Sequence, residues 1–351
     1  RKHLGVGVAG AWTGRRPRPW MAPLGMQMKV GSLCTGIAGL EHGLSLTGIQ
    51  VEPAFVSDID PGANEWLAAN MPNVPNLGDF TQHSRLPPCD VLCAGFPCQP
   101  FSTAGKRGGT TDERYLFDDI TRLLGSYMAH ERPLVFLENV SGLLTSVSHG
   151  EHVMARVVYG LADIGYHITW GTLPAAAVGA PHRRNRWWGL AYPADADRVA
   201  GPRDSRTTPS AQKQDGHQPH SSHEPVAGSD PAADSTRTER RGPQQQHLPQ
   251  ATQPTAESGE RLSTLAERFG PYAGAIGRWE CVLGRTAPDP SVDGRLNPSF
   301  CEWMMGFPQG WVTDTLTNRN QALKALGNAV VPQCAAEAFT QLHNRMNYET
   351  T

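Results

Sequence analysis

The 351-residue chain carries 31 basic and 33 acidic side chains, a formal net charge of −2, so overall charge advertises no polyanionic partner and local patches must carry any such role. No apolar run approaches the roughly 18 residues needed to span a bilayer, and nothing near the start resembles a signal peptide, which argues against a membrane protein. Seven cysteines, an odd number without paired spacing, argue against a disulfide framework and for a reducing compartment.

The length suits one large domain and a smaller one. Residues 1–28 are rich in Gly, Pro and Arg without sustained periodicity and read as a tail outside the core. Gly5-Val6-Gly7-Val8-Ala9-Gly10 matches a dinucleotide fingerprint, but only four residues precede it and no acidic residue occurs before Glu41, so it is rejected as a cofactor site.

From Lys29 the chain becomes ordered. Lys29 to Cys34 reads as a strand, Thr35-Gly36-Ile37-Ala38-Gly39 as a tight turn and Leu40 to Leu46 as a helix. A second strand, Val51 to Ser57, ends at Asp58-Ile59-Asp60-Pro61, and a helix from Ala63 to Met71 follows. This is the layout of a nucleoside-binding β-α-β unit: glycines let the backbone approach a ligand, and Asp58 can accept from two ribose hydroxyls. The alternative is an ordinary β-turn before a helix. A short strand is expected at Val74 to Leu77, and Asp79 after it is placed to accept from an exocyclic amine.

Asp90 to Ala94 is a compact buried-strand run that enters Gly95-Phe96-Pro97-Cys98-Gln99-Pro100. Pro97 and Pro100 fix φ on either side of Cys98 and deny it a regular helix. The thiol is either a small core hydrophobe or a nucleophile in pre-set geometry, and the choice depends on what the rest of the chain supplies. Thr103 to Arg114, glycine-rich around Lys106 and Arg107, reads as a phosphate-facing lid or as a plain surface loop. Tyr115 to His130 has helical spacing, and Leu134 to Leu137 is a strand delivering Glu138-Asn139-Val140. Buried there, the Glu138 carboxyl would be driven towards its protonated form and could donate a proton.

A helix from Glu151 to Ile164 precedes two strands, Tyr166 to Leu173 and Trp187 to Tyr192. The connection between them ends in His182-Arg183-Arg184-Asn185-Arg186, and Arg184 and Arg186 would share a face if extended, a spacing suited to gripping a carbonyl or phosphate. Between Asp197 and Gly259 the only large apolar residues are Val199, Val226 and Leu248, too few to offset the ordering entropy, so disorder is expected. His217, His220 and His223 fall in this tract and read as solvated, with no cysteine nearby to complete a zinc set and no metal expected. Order resumes at Leu262, where Phe269, Tyr272, Ile276, Trp279 and Val282 give a small aromatic element. A packed helix and turn follow over Arg295 to Trp311, then Gly327-Asn328-Ala329-Val330, and Gln333 to Met346 is a closing helix.

A pinned thiol, a strand-end carboxyl, paired arginines and a nucleoside-type pocket serve one reaction together. A thiolate adding at cytosine C6, with a proton supplied at N3 by a carboxylic acid, leaves an electron-rich C5 able to take an activated methyl group. The ordered parts closely resemble the bacterial and phage C5-cytosine-specific DNA methyltransferases. Phe-Pro-Cys-Gln-Pro-Phe-Ser at 96–102 matches that family's nucleophile motif and Glu138-Asn139-Val140 its acid motif. His182-x-Arg184-x-Arg186 is similar to its Gln-x-Arg-x-Arg, and Gly327-Asn328-Ala329-Val330 to its closing Gly-Asn-x-Val.

The resemblance implies an α/β, Rossmann-like S-adenosylmethionine-dependent methyltransferase with a mainly parallel mixed sheet and a small variable target-recognition region. It implies Cys98 as nucleophile, Glu138 at N3 and N4, and Arg184 and Arg186 holding the base and the catalytic loop. The cofactor would be bound by Cys34, Thr35, Gly36, Gly39, Asp58, Ile59, Asp79, Gly95, Pro97 and Asn328. Gln99, Ser102, Asn139 and Val140 would meet the substrate, double-stranded DNA with the target base flipped out. A monomer in the cytoplasm of a bacterial or phage-infected cell is expected. The implied division is a catalytic core over 29–192, a low-complexity insert over 193–261, a target-recognition element over 262–292, a C-terminal return over 293–346 and a tail over 347–351. Three departures stand out: Cys34 for the family's usual Phe, Ala38 for its second Gly, and His182 for Gln. Competing readings are a tRNA cytosine methyltransferase and a catalytically idle nucleic-acid-binding module.

Overall fold

A computed structural model describes residues 26–97, 116–148, 151–194 and 256–350. Cys98, Gln99 and Ser102, the 103–114 loop, the three histidines and nearly all of the insert lie outside these residues.

The first half is a run of β-α units. Strand β1 (Gln27–Leu33) leads to helix α1 (Gly39–Leu46), β2 (Gln50–Phe55) and α2 (Pro61–Asn70), then β3 (Val91–Ala94). Pro61 suits the first turn of α2, and the Asp60 carboxylate caps it, accepting from Gly62 N at 2.9 Å and Ala63 N at 3.2 Å. After α3 (Leu116–Gly125) come β4 (Leu134–Val140), a small hairpin of β5 (Val147–Ser148) and β6 (Glu151–His152), and α4 (Val153–Asp163). Strands β7 (Tyr166–Pro174) and β8 (Asn185–Pro193) complete the sheet.

The six long strands lie in the order β2-β1-β3-β4-β8-β7. The first four are mutually parallel, and β8 runs antiparallel between β4 and β7, giving the mainly parallel mixed sheet expected. Alternation splits the core in two. Val30, Val91, Phe136 and Trp188 face one way, into a cluster with Leu40 and Leu44 of α1. Leu33, Leu92, Leu137 and Trp187 face the other, against Phe117, Leu123, Val157 and Leu161 of α3 and α4.

The C-terminal return follows through α5 (Ala256–Phe269), α6 (Ala273–Leu283), a hairpin of β9 (Ser291–Val292) and β10 (Arg295–Leu296), α7 (Pro298–Met304), α8 (Arg319–Asn328) and α9 (Pro332–Thr350). Helix α9 closes on α1 so tightly that a methyl group at Gly43 would sit 2.4 Å from Ala335 Cβ and 2.8 Å from the Pro332 carbonyl oxygen. No described helix is long and apolar enough to cross a membrane.

Three expectations are corrected. Val74 to Leu77 forms only one parallel bridge, Asn76 to Val56, because Pro72 and Pro75 have no N–H to extend a ladder. Glu138 and Asn139 lie inside β4, paired with Trp188 and Trp187, and not beyond its end. Helix α5 starts at Ala256, within the stretch expected to lack order. The helix-forming Ala256, Glu257, Glu260 and Arg261 favour turns that apolar content alone does not signal.

Candidate active site

The loop after β1 has a closed back and an open front. Cys34, Gly36 and Ala38 take φ of 52°, 58° and 57°, and only the glycine adopts this left-handed region without steric cost. The surroundings hold the path. Thr35 N donates to Ser57 O at 3.1 Å, Gly36 N donates to Asp58 Oδ2 at 2.7 Å, and Trp311 Nε1 donates to the Ile37 carbonyl at 2.9 Å. A methyl group at Gly39 would lie 2.9 Å from Val330 Cγ2, whereas one at Gly36 would meet nothing within 4 Å.

The groups expected to hold a nucleoside flank that open front. Asp58 Oδ1 accepts from Asp60 N at 2.8 Å, so both carboxylate oxygens serve the loop and each retains a lone pair. Ile59 beside it is 73% exposed. The Ser57 hydroxyl donates to the Gly78 carbonyl at 2.6 Å, which fixes the turn bearing Asp79 next to the end of β2. Asp79 is exposed and accepts from Thr81 N at 3.0 Å and Thr81 Oγ1 at 2.7 Å; the Thr81 hydroxyl leads the influences that hold its carboxyl below the usual range. Lys324 of α8 pairs with Asp60 and so ties the closing segment to this edge.

The second group centres on Glu138. Its side chain is buried, and Arg186 Nε lies 2.9 Å from its Oε1. Burial raises the carboxyl above its ordinary range, and the charges of Arg186 and then Arg184 oppose the rise. Asn139 Nδ2 donates to the Phe96 carbonyl at 3.0 Å, and a methyl group at Gly95 would lie 3.6 Å from Glu138 Oε2. The Gly95–Pro97 stretch is therefore fastened against Glu138, and Cys98 is the next residue in the chain. Val140, at the exposed end of β4, donates its N–H to Asn139 Oδ1 at 2.8 Å. Burial pushes the thiols of Cys34, Cys89 and Cys334 up to about 12, so none of these three is an activated nucleophile.

Arg184 and Arg186 take different partners. Arg184 has φ of 20° and precedes the extended strand, whereas Arg186 within it pairs with Glu138; both charges still act on that carboxyl. The Arg184 guanidinium donates to the carbonyls of Gly327, at 2.9 Å, and Ala329, and burial lowers its pKa to about 10, with Arg186 adding to the effect. Arg184 thus clasps the Gly327–Val330 segment. His182, where the family pattern has glutamine, donates from Nε2 to the Met304 carbonyl at 3.0 Å and fastens the connection between β7 and β8 to the end of α7. Asn328 stands exposed at the end of α8.

Sequence reading gave no role to Trp311, which holds the loop at the Ile37 carbonyl, or to Lys324, which ties α8 to Asp60. Their partners are remote in sequence, and no local spacing announces them.

Residues 28–344 match the family model for the C-5 cytosine-specific DNA methylase. The chain is 36% identical over 173 residues to the Type II methyltransferase M.NgoBV of Neisseria gonorrhoeae, covering 46% of this chain and 40% of that one. It is also 36% identical over 174 residues to the Type II methyltransferase M.CviJI of Paramecium bursaria Chlorella virus IL3A, covering 48% and 44%. The matched stretches thus span less than half the length of these relatives. Among solved structures, the S. pombe Dnmt2 methyltransferase aligns with a TM-score of 0.51 at 18% identity, over 91% of this chain and 99% of that one, a likeness of fold.

Proposed function

The chain belongs to the C-5 cytosine-specific DNA methylase family, and from that premise we propose that it methylates C5 of cytosine in double-stranded DNA, with S-adenosylmethionine as donor and Cys98 as nucleophile. The observation that carries this reading is the fastening of Gly95–Pro97 against a buried Glu138 paired with Arg186 at 2.9 Å. It brings the segment that presents the thiol to a buried carboxyl able to hold a proton for the base.

The open front of the β1 loop fits the cofactor: backbone at Gly36, Asp58 for the ribose, Ile59 for an apolar face and Asp79 for the adenine amine. Cys34, Thr35, Gly39, Gly95, Pro97 and Asn328 complete the surround. Bound there, S-adenosylmethionine supplies an electrophilic methyl group.

The chain's own residues prepare the acceptor. The Cys98 thiolate adds to C6, Glu138 donates its proton at N3, and charge that would sit on the ring is relieved as C5 becomes electron-rich. Arg186 keeps Glu138 aimed, and Arg184 keeps the Gly327–Val330 segment closed over the loop. Once C5 carries the methyl group, loss of the C5 proton to solvent, return of the N3 proton to Glu138 and expulsion of the Cys98 thiolate from C6 restore the aromatic ring. Gln99, Ser102, Asn139 and Val140 surround the reacting base. A buried carboxyl at this depth requires the target to leave the duplex, so base flipping accompanies binding.

A duplex containing 5-fluorocytosine tests the chemistry, because fluorine cannot leave as a proton does. The wild-type chain with cofactor should form a covalent adduct stable to denaturation, and Cys98→Ser should form none; an adduct that persists in the variant refutes the nucleophile. Methyl-labelled cofactor offered with DNA or tRNA tests the substrate. Label on tRNA alone overturns the DNA reading, and label on neither points to an idle binding module.

A further inference from the structure

Between α6 and α7 the chain makes a hairpin that the core does not require. Strands β9 and β10 supply two residues each and turn through Asp293 and Gly294 at φ of 51° and 69°, the two left-handed residues a type I′ turn demands. So short a pair is marginal alone. Its base is tied down on both sides: Asn297 N donates to Pro290 O at 2.9 Å, Asn297 Nδ2 to Asp289 O at 2.8 Å, and Arg319 Nε to Leu296 O at 3.0 Å.

The hairpin is held in one pose yet faces outward. Val292 is 54% and Leu296 47% exposed. Arg295 is exposed and makes no ion pair or hydrogen bond with any described residue, whereas Arg122, Arg156, Arg186 and Arg268 all close on carboxylates. Beside it lies a cleft of about 600 Å³ lined by Arg295 and Arg319 with Ser299, Thr313 and Thr317, the Thr313 hydroxyl donating to Glu302 Oε2 at 3.3 Å; Asp293 is its one carboxylate among the described residues. Two guanidiniums among hydroxyls suit a phosphodiester.

We propose that the 291–296 hairpin and this cleft dock the sugar-phosphate backbone of duplex DNA, with Arg295 as the contacting cation. The inference rests on the DNA reading above. Helix α8 runs from the cleft at Arg319 to the Gly327–Asn328 turn that Arg184 clasps. Its length, about 15 Å at 1.5 Å per residue, covers roughly four base steps of about 3.4 Å. The contact therefore lies about one helix length from that turn and adds affinity at a distance from the chemistry.

The test is fluorescence anisotropy of a labelled duplex with the full chain, titrated with salt. Arg295→Ala should weaken binding about tenfold and Arg295→Glu about a hundredfold, while the salt slope falls by about 0.9 for each phosphate no longer neutralised. Arg295→Lys should bind within about threefold of wild type, as a point charge on a phosphate allows. Cofactor affinity, melting temperature and kcat at saturating DNA should not change. Unchanged affinity and slope in Arg295→Glu overturn the proposal, as does a Lys variant as weak as the Ala variant. Should Arg295→Glu fail to fold, hydrogen exchange in the wild type decides: slower exchange of the 291–296 amides on adding duplex supports the contact, and no change overturns it. Failure of the underlying DNA reading looks different, since the unsubstituted chain would then transfer no methyl group to DNA.

Discussion

The parallel and antiparallel halves of the sheet reach the candidate site by different means. At the ends of β1 and β2 the contacts are made from main-chain donors: Thr35 N to Ser57 O and Gly36 N to the Asp58 carboxylate, along a loop with three residues held at positive φ. Across β4 and β8 they are made by side chains: Arg186 to Glu138, Asn139 to Phe96 and Arg184 to the Gly327 carbonyl. Main-chain donors do not depend on the side chains along the loop, so Cys34 and Ala38 stand where the family pattern has Phe and Gly, at the steric cost of a positive φ. A site shaped by side chains keeps its residues, and here Glu138, Arg184 and Arg186 all match the pattern.

The sharpest way to break this contrast is to change one atom in the side-chain half. Glu138→Gln keeps the shape but cannot donate a proton at N3, and kcat should fall about 10²–10⁴-fold while calorimetric affinity for S-adenosylmethionine is unchanged. An effect confined to KM for DNA would show that Glu138 only binds. The pH profile adds a sign. Burial raises this carboxyl, and the protonated form is the donor, so the rate should fall as pH rises through the raised pKa. Removing the opposing charge with Arg186→Gln should move that limb to higher pH.

A smaller effect is expected in the main-chain half. Asp58→Asn retains the size but offers one acceptor oxygen in place of two, so it cannot accept from both Gly36 N and Asp60 N. Cofactor affinity should weaken about tenfold, near 1.4 kcal/mol, with kcat at saturating cofactor preserved. A collapse of kcat instead would mean that the two halves are not separable.

The same contrast explains what the sequence disclosed. The β-α-β unit, Asp58, Glu138 and the ordered motifs are local patterns, readable from periodicity and turn residues. The destination of Arg184 is not local: its partners, Gly327 and Ala329, lie 143 and 145 residues away, and its φ of 20° sets it outside the extended strand in which Arg186 pairs with Glu138. His182 departs from the family's glutamine, yet it holds a partner of its own, the Met304 carbonyl, at a separation of 122 residues that no local spacing signals. The prolines at 72 and 75 are visible in the sequence, and their missing donors suffice to explain why no strand forms there.

One side chain in the parallel half runs against its main-chain character. Glu41, in the first turn of α1, is 5% exposed, and neither carboxylate oxygen has a hydrogen-bond partner of good geometry among the described residues. Burial raises its pKa, and the nearby Ser32 hydroxyl offsets this only in part. A carboxyl held more tightly protonated in the folded chain than in the unfolded one favours folding below the unfolded value, about 4.3, and that contribution is lost as pH rises through the folded value. Glu41→Gln is neutral at every pH and escapes the loss. It should raise the melting temperature at pH 8, by about 2–4 °C for each kcal/mol recovered, and leave it unchanged at pH 4. A variant that melts lower by the same amount at both pH values would show that Glu41 accepts a hydrogen bond after all, and the parallel half would then depend on a side chain as the antiparallel half does.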